Sequence, residues 1–268
     1  MSAELPKIIY SLWLQGRDAA PDLVRLCFKK WGELNPDYEL RVLTADDMPA
    51  LLGDTKVPRE AVSVQALSDI VRARLLKQHG GVWADSSVLP LAPLRDWLPQ
   101  AIEPSGFFAF ERPGIDRPIS SWFLAALPGN PIAGQLWNAV EHYWQKPRQL
   151  VRFAEGPPAD PAALVAPDQG GLTDIHPYFW FHYLFQYLIE TNEEFSALWG
   201  KRHRWPADHP HALQFLFAKN APLSLFDVME AAAKAPVQKL DWRASYPLQL
   251  LAELGGQNLP VPAWSSLG

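Results

Sequence analysis

The chain has 268 residues, 48% apolar and 20% charged, with a formal net charge of −5. That balance belongs to a globular protein with a sizeable core, and the lack of any basic block excludes a phosphate-tracking nucleic-acid binder. Cys27 is the only cysteine, which excludes an intrachain disulfide and a cysteine-built metal site.

The start, Met-Ser-Ala-Glu-Leu-Pro-Lys, lacks the basic, apolar pattern of a signal peptide, and no apolar run reaches membrane-spanning length. A cytoplasmic location without a transmembrane segment is expected, with peripheral association at the inner membrane face left open. Lys7 to Leu14 is an apolar, β-branched and aromatic run between Pro6 and Gly16, and reads as a buried strand. From Pro21 to Asn35 the residues Leu23, Cys27, Trp31 and Leu34 fall at helical spacing. Tyr38 to Thr44 reads as a second strand, with Thr44 capping a short helix through Leu52. Val62 to His79 reads as a longer helix with Val64, Leu67, Val71 and Leu75 as its apolar stripe, stopped by Gly80-Gly81. Val82 to Asp85 is the next strand. Strand, helix, strand, helix, strand predicts a parallel sheet with crossover helices, in which ligands bind beyond the carboxyl ends of the strands.

Further on, 106–111 and 120–129 read as strands, 131–145 and the aromatic 177–192 as helices, and 224–235 as one more helix. Residues 154–174, rich in Pro, Gly, Ala and Asp, read as a loop lying over a site. With no repeat and no sharp linker, a single α/β domain over 1–268 is expected.

Asp69 and Arg72 are three apart on the long helix and share a face, with Ser68 adjacent. Alone they are an ordinary ion pair. Asp85, Ser86 and Ser87 follow a strand, and alone they are an ordinary turn. Because the helix packs back on the sheet, the two groups together predict a crevice bordered by carboxylates, hydroxyls and a guanidinium. In the aromatic helix, His182 and Trp180 are candidates for an acceptor pocket, against a plainer reading as core. Glu111 ends a strand and is a candidate acceptor-side base for an inverting reaction, against an exposed carboxylate. No nucleophile elbow, Walker loop or metalloprotease His/Glu pair is present.

The ordered blocks LPKIIYSLWLQG, ALSDIVRARLLKQHGGVWADSSV, SSWFLAALPGNPI, YFWFHYLF and APVQKLDWR resemble the sugar-transferase family that carries a DXD motif (glycosyltransferase 32-like), in its capsular-polysaccharide-synthesis branch. The resemblance implies a GT-A-like, mostly parallel central sheet flanked by helices. The nucleotide-binding part would span about 5–130 and a more helical acceptor-side part about 131–268. It implies transfer of a hexosyl unit from a nucleoside-diphosphate sugar to a saccharide or lipid-linked saccharide, in capsule or surface-polysaccharide synthesis. The other reading is a non-catalytic saccharide- or nucleotide-binding protein on the same fold.

By the same resemblance Trp13 stacks on the base, against a reading as a core residue. Asp69 and Arg72, with Ser68, hold the donor sugar and phosphate. Asp85 touches the ribose or sugar beside Ser86. Ser87 stands where the family has the second acid of its motif. Mn²⁺ or Mg²⁺, which prefer oxygen ligands, would then sit on Asp85 and Ser87. A hydroxyl is a weaker, neutral ligand than a carboxylate. Arg72 together with Lys239 is the alternative source of positive charge, Lys239 reading otherwise as a surface lysine.

Overall fold

The computed structural model describes residues 4–58, 62–153, 159–166, 174–219 and 221–255. Most of the expected 154–174 loop lies outside the described residues, and its placement over a site with it.

The first half follows the expected order: β1 (Ile8–Leu12), α1 (Asp22–Leu34), β2 (Glu39–Leu43), α2 (Met48–Leu52), α3 (Val64–His79) and β3 (Gly81–Ala84). A short strand β4 (Val88–Pro90) and helix α4 (Leu98–Ile102) come next, then the hairpin of β5 (Phe107–Gly114) and β6 (Arg117–Ala126). The chain continues through α5 (Pro131–Tyr143), β7 (Gln149–Val151), β8 (Ile175–Pro177), α6 (Trp180–Thr191) and α7 (Glu193–Gly200). Last come α8 (Ala212–Ala218), α9 (Leu225–Ala232), β9 (Val237–Lys239) and α10 (Leu248–Glu253).

Five strands form the central sheet in the order β2-β1-β3-β6-β5. β1 pairs in parallel with β2 and β3, and β6 runs antiparallel to both β3 and β5. Four strands therefore point one way and β6 alone runs against them, which is the expected α/β class.

Side chains alternate across a strand with a period of two, and here both faces are buried. Tyr10, Leu12, Trp83, Phe107, Ala109 and Leu124 face a core made with α3, α5 and α6. Their neighbours Ile9, Val82, Ala84, Phe108, Phe110, Phe123 and Ala125 face a second core with Trp31 and Trp97. A strand buried on both sides loses the apolar/polar alternation of a half-exposed one and reads as a continuous apolar run.

The long helix has clear ends. Ser63 accepts a hydrogen bond from the Ala66 amide at its start, satisfying one free donor of the first turn. Gly80 and Gly81 follow with φ of +68° and +95°, and a Cβ on either would collide with Ala126 O or with Ile8 Cγ2. Only glycine turns the chain there so sharply from helix to strand. The expected apolar stripe is only partly right: Val64 is exposed at the N-terminal end, whereas everything from Asp69 to Leu76 is buried. The helix carries Asp69, Arg72 and Arg74 into the interior, where charged groups need partners.

β4 and β9 form a separate antiparallel ribbon that pairs Val88 with Lys239. Gln238, the fully buried middle residue of β9, accepts from the Leu213 amide of α8 at 3.0 Å and donates to His209 O at 3.2 Å. A third core of Leu23, Cys27, Leu89, Leu91, Leu213, Val228, Leu240 and Leu251 fastens this ribbon to α1 and the C-terminal helices.

Candidate active site

A cleft of about 710 Å³ opens at the carboxyl ends of β1 and β3, where open α/β sheets bind their ligands. It is lined by Trp13, Ser68, Asp69, Arg72, Asp85, Ser86, Ser87, His182 and Lys239, among others. The structure thus brings together most of the residues expected from sequence, drawn from the segment after β1, α3, the turn after β3, α6 and β9.

Arg72 is the organising group. Its guanidinium lies 3.0 Å from Asp69 Oδ1 and 3.1 Å from Asp85 Oδ1. It also donates to Ser68 Oγ at 2.7 Å and to the carbonyl oxygens of Ser68 and Ser121. Its carbon sits 5.0 Å over the Trp83 ring. The side chain is 4% exposed, so a buried charge is offset here by two carboxylates and three hydrogen bonds. The guanidinium fork is planar, which suits it to holding two acids at fixed angles.

Asp85 is held from three sides. Trp83 Nε1 donates to Oδ1 at 3.0 Å, Arg72 approaches the same oxygen, and the Asp85 amide donates to Trp122 O at 2.8 Å. Its other oxygen, Oδ2, faces Lys239 Nζ at 4.0 Å. Asp69 is more enclosed. Desolvation pushes its pKa up to about 6, against the opposing pull of Arg72, with Asp85 adding to the rise.

Residues 85–87 form a turn between β3 and β4, closed by the Val88 amide donating to Asp85 O at 2.9 Å. Ser87 is buried, and its hydroxyl accepts from Lys239 Nζ at 2.7 Å. That arrangement does not fit a divalent cation. Among the described residues no group of three or more acids, histidines or cysteines gathers around one point. An ion bound to the Ser87 oxygen at about 2.1 Å would lie roughly 4 Å from the ammonium. At an effective dielectric of about 20, unit charges at that distance repel by about 4 kcal/mol, and a dication by about twice that.

Lys239 itself is mostly enclosed. Desolvation lowers its pKa, and Asp85, Cys27 and Asp241 act to raise it. Asp69, Asp85, Arg72 and Lys239 gather at the floor of the cleft.

Trp13 forms one wall. It packs partly against Ala20, Val24 and Phe28 and meets Trp242 edge-on, with ring centroids 5.4 Å apart. Its buried Nε1 has no partner among the described residues. Trp242 is 40% exposed and lines the cleft beside Arg243. Trp242 is a site candidate that sequence reading missed, although it lies in the quoted APVQKLDWR block. Arg117 was missed too; it pairs with Asp116 at 3.2 Å and stands 4.0 Å over the Phe179 ring on the opposite wall.

His182 is buried and lines the cleft. Its buried Nδ1 has no partner among the described residues. Desolvation lowers its pKa to about 3, helped by Arg117 and Arg72, so the ring is neutral at physiological pH. Trp180 does not reach the cleft. It is 1% exposed, stacked on Tyr143 at 5.5 Å and edge-on to Trp144 at 5.3 Å. Two residues apart on a helix, Trp180 and His182 face different directions. Glu111 is also elsewhere. It is neither exposed nor in the cleft: Arg202 pairs with its carboxylate, and its backbone bonds Trp205 and Ala207.

These features define a polar, charged cleft with an aromatic wall at the open end of an α/β sheet. A family model for capsular polysaccharide synthesis proteins matches residues 1–154, and the chain belongs to that family. The matched span contains Trp13, Asp69, Arg72 and Asp85; Lys239, Trp242 and His182 lie beyond it. Over 158 residues the chain is 25% identical to "Putative glycosyltransferase HOC1" of Saccharomyces cerevisiae, covering 51% of this chain and 39% of that protein. Over 163 residues it is 27% identical to the "Initiation-specific alpha-1,6-mannosyltransferase" of Schizosaccharomyces pombe, covering 52% and 39%. The matches thus span about two-fifths of the length of these curated relatives. Among solved structures, the PaToxG glycosyltransferase aligns over 94% of this chain and 88% of its own, at a TM-score of 0.42 and 13% identity. No helix among the described residues is long and apolar enough to cross a membrane.

Proposed function

We propose that the protein is a glycosyltransferase that moves a hexosyl unit from a nucleoside-diphosphate sugar to a saccharide or lipid-linked saccharide acceptor, in capsule or surface-polysaccharide synthesis. The observation that carries this reading is the clamp of Arg72 on Asp69 and Asp85 beneath the Trp13–Trp242 wall. Family membership and the glycosyltransferase names of two relatives support it.

In this reading the base packs against Trp13 and Trp242, because indole faces suit flat heterocycles. Asp85 Oδ2, the carboxylate oxygen that Arg72 leaves free, accepts from ribose or sugar hydroxyls. Arg72 positions both carboxylates. When the bond between the anomeric carbon and the phosphate oxygen breaks, negative charge gathers on the departing diphosphate, and fixed positive charge lowers that barrier. Glu111 lies outside the cleft and is not assigned as a base. The reading therefore favours a front-side, retaining path, in which the acceptor hydroxyl attacks the anomeric carbon and its proton passes to the departing phosphate oxygen. His182, neutral and lining the cleft, would hydrogen-bond an acceptor hydroxyl through its ring. A mannosyl donor is the first to try, given the printed name of one relative.

The test is a panel of UDP-, GDP- and CDP-sugars, scored for nucleoside-diphosphate release with and without oligosaccharide acceptors. Acceptor-dependent release supports transfer. Binding without release supports the saccharide- or nucleotide-binding protein, and release without acceptor a hydrolase.

A further inference from the structure

A departing nucleoside diphosphate needs positive charge that is not already spent inside the protein. Of the cationic residues lining the cleft, Arg72 is committed to Asp69, Asp85, Ser68 and Ser121, and Arg117 to Asp116 and the Pro113 carbonyl. Arg243 is exposed and lies against the Trp242 ring at 5.4 Å, on the aromatic wall and not at the Asp-Ser-Ser turn. Lys239 differs. An ammonium has three donors, and Lys239 uses two, on Ser87 Oγ at 2.7 Å and Leu240 O at 3.2 Å. Asp85 Oδ2 at 4.0 Å is beyond hydrogen-bond reach, so the third N–H has no hydrogen-bond partner among the described residues.

We propose that Lys239 occupies the place of a divalent cation beside the Asp-Ser-Ser turn and binds the donor diphosphate directly, so that donor binding needs no metal. This rests on the nucleotide-sugar reading of the cleft and deepens it.

Two further observations support it. The β4–β9 register sets Lys239 opposite Val88, one residue past Ser87, so the ladder fixes the lysine at the turn. Ser87 also makes the exchange coherent. An aspartate at 87 would pair with the ammonium and cancel the charge the diphosphate needs, whereas a neutral hydroxyl orients the ammonium and leaves its charge in place. The serine that weakens a metal site is what a lysine site requires.

The experiment is calorimetric titration of UDP, GDP and CDP into the whole protein, with Mn²⁺ or Mg²⁺ and again with EDTA. It is repeated on Lys239→Met and Lys239→Arg, each first checked for native circular dichroism and melting. The expected result is that one diphosphate binds equally well in EDTA. Lys239→Met should weaken it about tenfold or more, the loss for a hydrogen bond to a charged group, and Lys239→Arg should retain most of the affinity. Nucleotide binding that requires metal and is indifferent to Lys239→Met would overturn the lysine proposal and leave the transferase reading standing. If no diphosphate binds under any condition, both fall together. Should Lys239→Met fail to fold, the metal requirement of the wild type decides alone.

Discussion

Arg72 Nη2 lies 3.1 Å from Asp85 Oδ1, joining the middle of α3 to the turn that follows β3. The same guanidinium holds Asp69 one turn back on its own helix. Breaking a buried pair from one side strands the remaining charge, at about 3–5 kcal/mol. Arg72→Ala is therefore expected to destabilise the fold by about that amount, read as a lower urea midpoint with an unchanged slope. Arg72→Lys keeps the charge but not the fork, and is expected to lie between.

Asp85 should behave differently. Its side chain is 28% exposed, and Arg72 keeps Asp69 when Asp85 is neutralised. Asp85→Asn is expected to cost about 1 kcal/mol, or about 2–4 °C in melting temperature for a domain near this size. Donor binding and turnover should fall far more. Thermal melting beside nucleotide titration separates the two effects.

Trp242 gives a test free of stability effects. It is exposed and touches Trp13 only edge-on, so Trp242→Ala should change stability by no more than about 0.5 kcal/mol. Loss of base stacking should weaken nucleotide binding several-fold, and nucleotide should quench less tryptophan fluorescence in the variant than in the wild type.

His182 predicts an acid limb in stability. Its folded pKa, about 3, lies below the ordinary 6.5. The folded state thus binds fewer protons than the unfolded one as pH falls below 6.5, and stability drops along that range. Down to pH 5 this amounts to about 2 kcal/mol at 1.36 kcal/mol per pH unit. Urea unfolding at pH 7 and pH 5 should show the loss in the wild type and a smaller one in His182→Gln.

Much of this site could be read from sequence because local patterns carried it. The apolar runs around Ile9 and Val82, Ser63 and Gly80 at the ends of α3, and the Asp69/Arg72 spacing are all short-range signals. β4 and β9 are three residues each and pair across roughly 150 positions. No local period announces such a ribbon, so the contact of Lys239 with Ser87 was not legible even though both residues had been singled out. Trp180 was ambiguous because a helix buried on most sides has no polar face to mark direction, and packing against Tyr143 and Trp144 decided it. Glu111 was misread as exposed because Arg202, its partner, lies 91 residues away.

The most direct test of the account compares wild type with Asp85→Asn in a transfer assay. Each is incubated with the nucleotide-sugar panel and oligosaccharide acceptors, and the acceptor is weighed by mass spectrometry. The account predicts that wild type adds one hexosyl unit from one donor and that the folded Asp85→Asn protein adds none. Equal addition by both proteins, or none by a wild type that binds the donor, would contradict it.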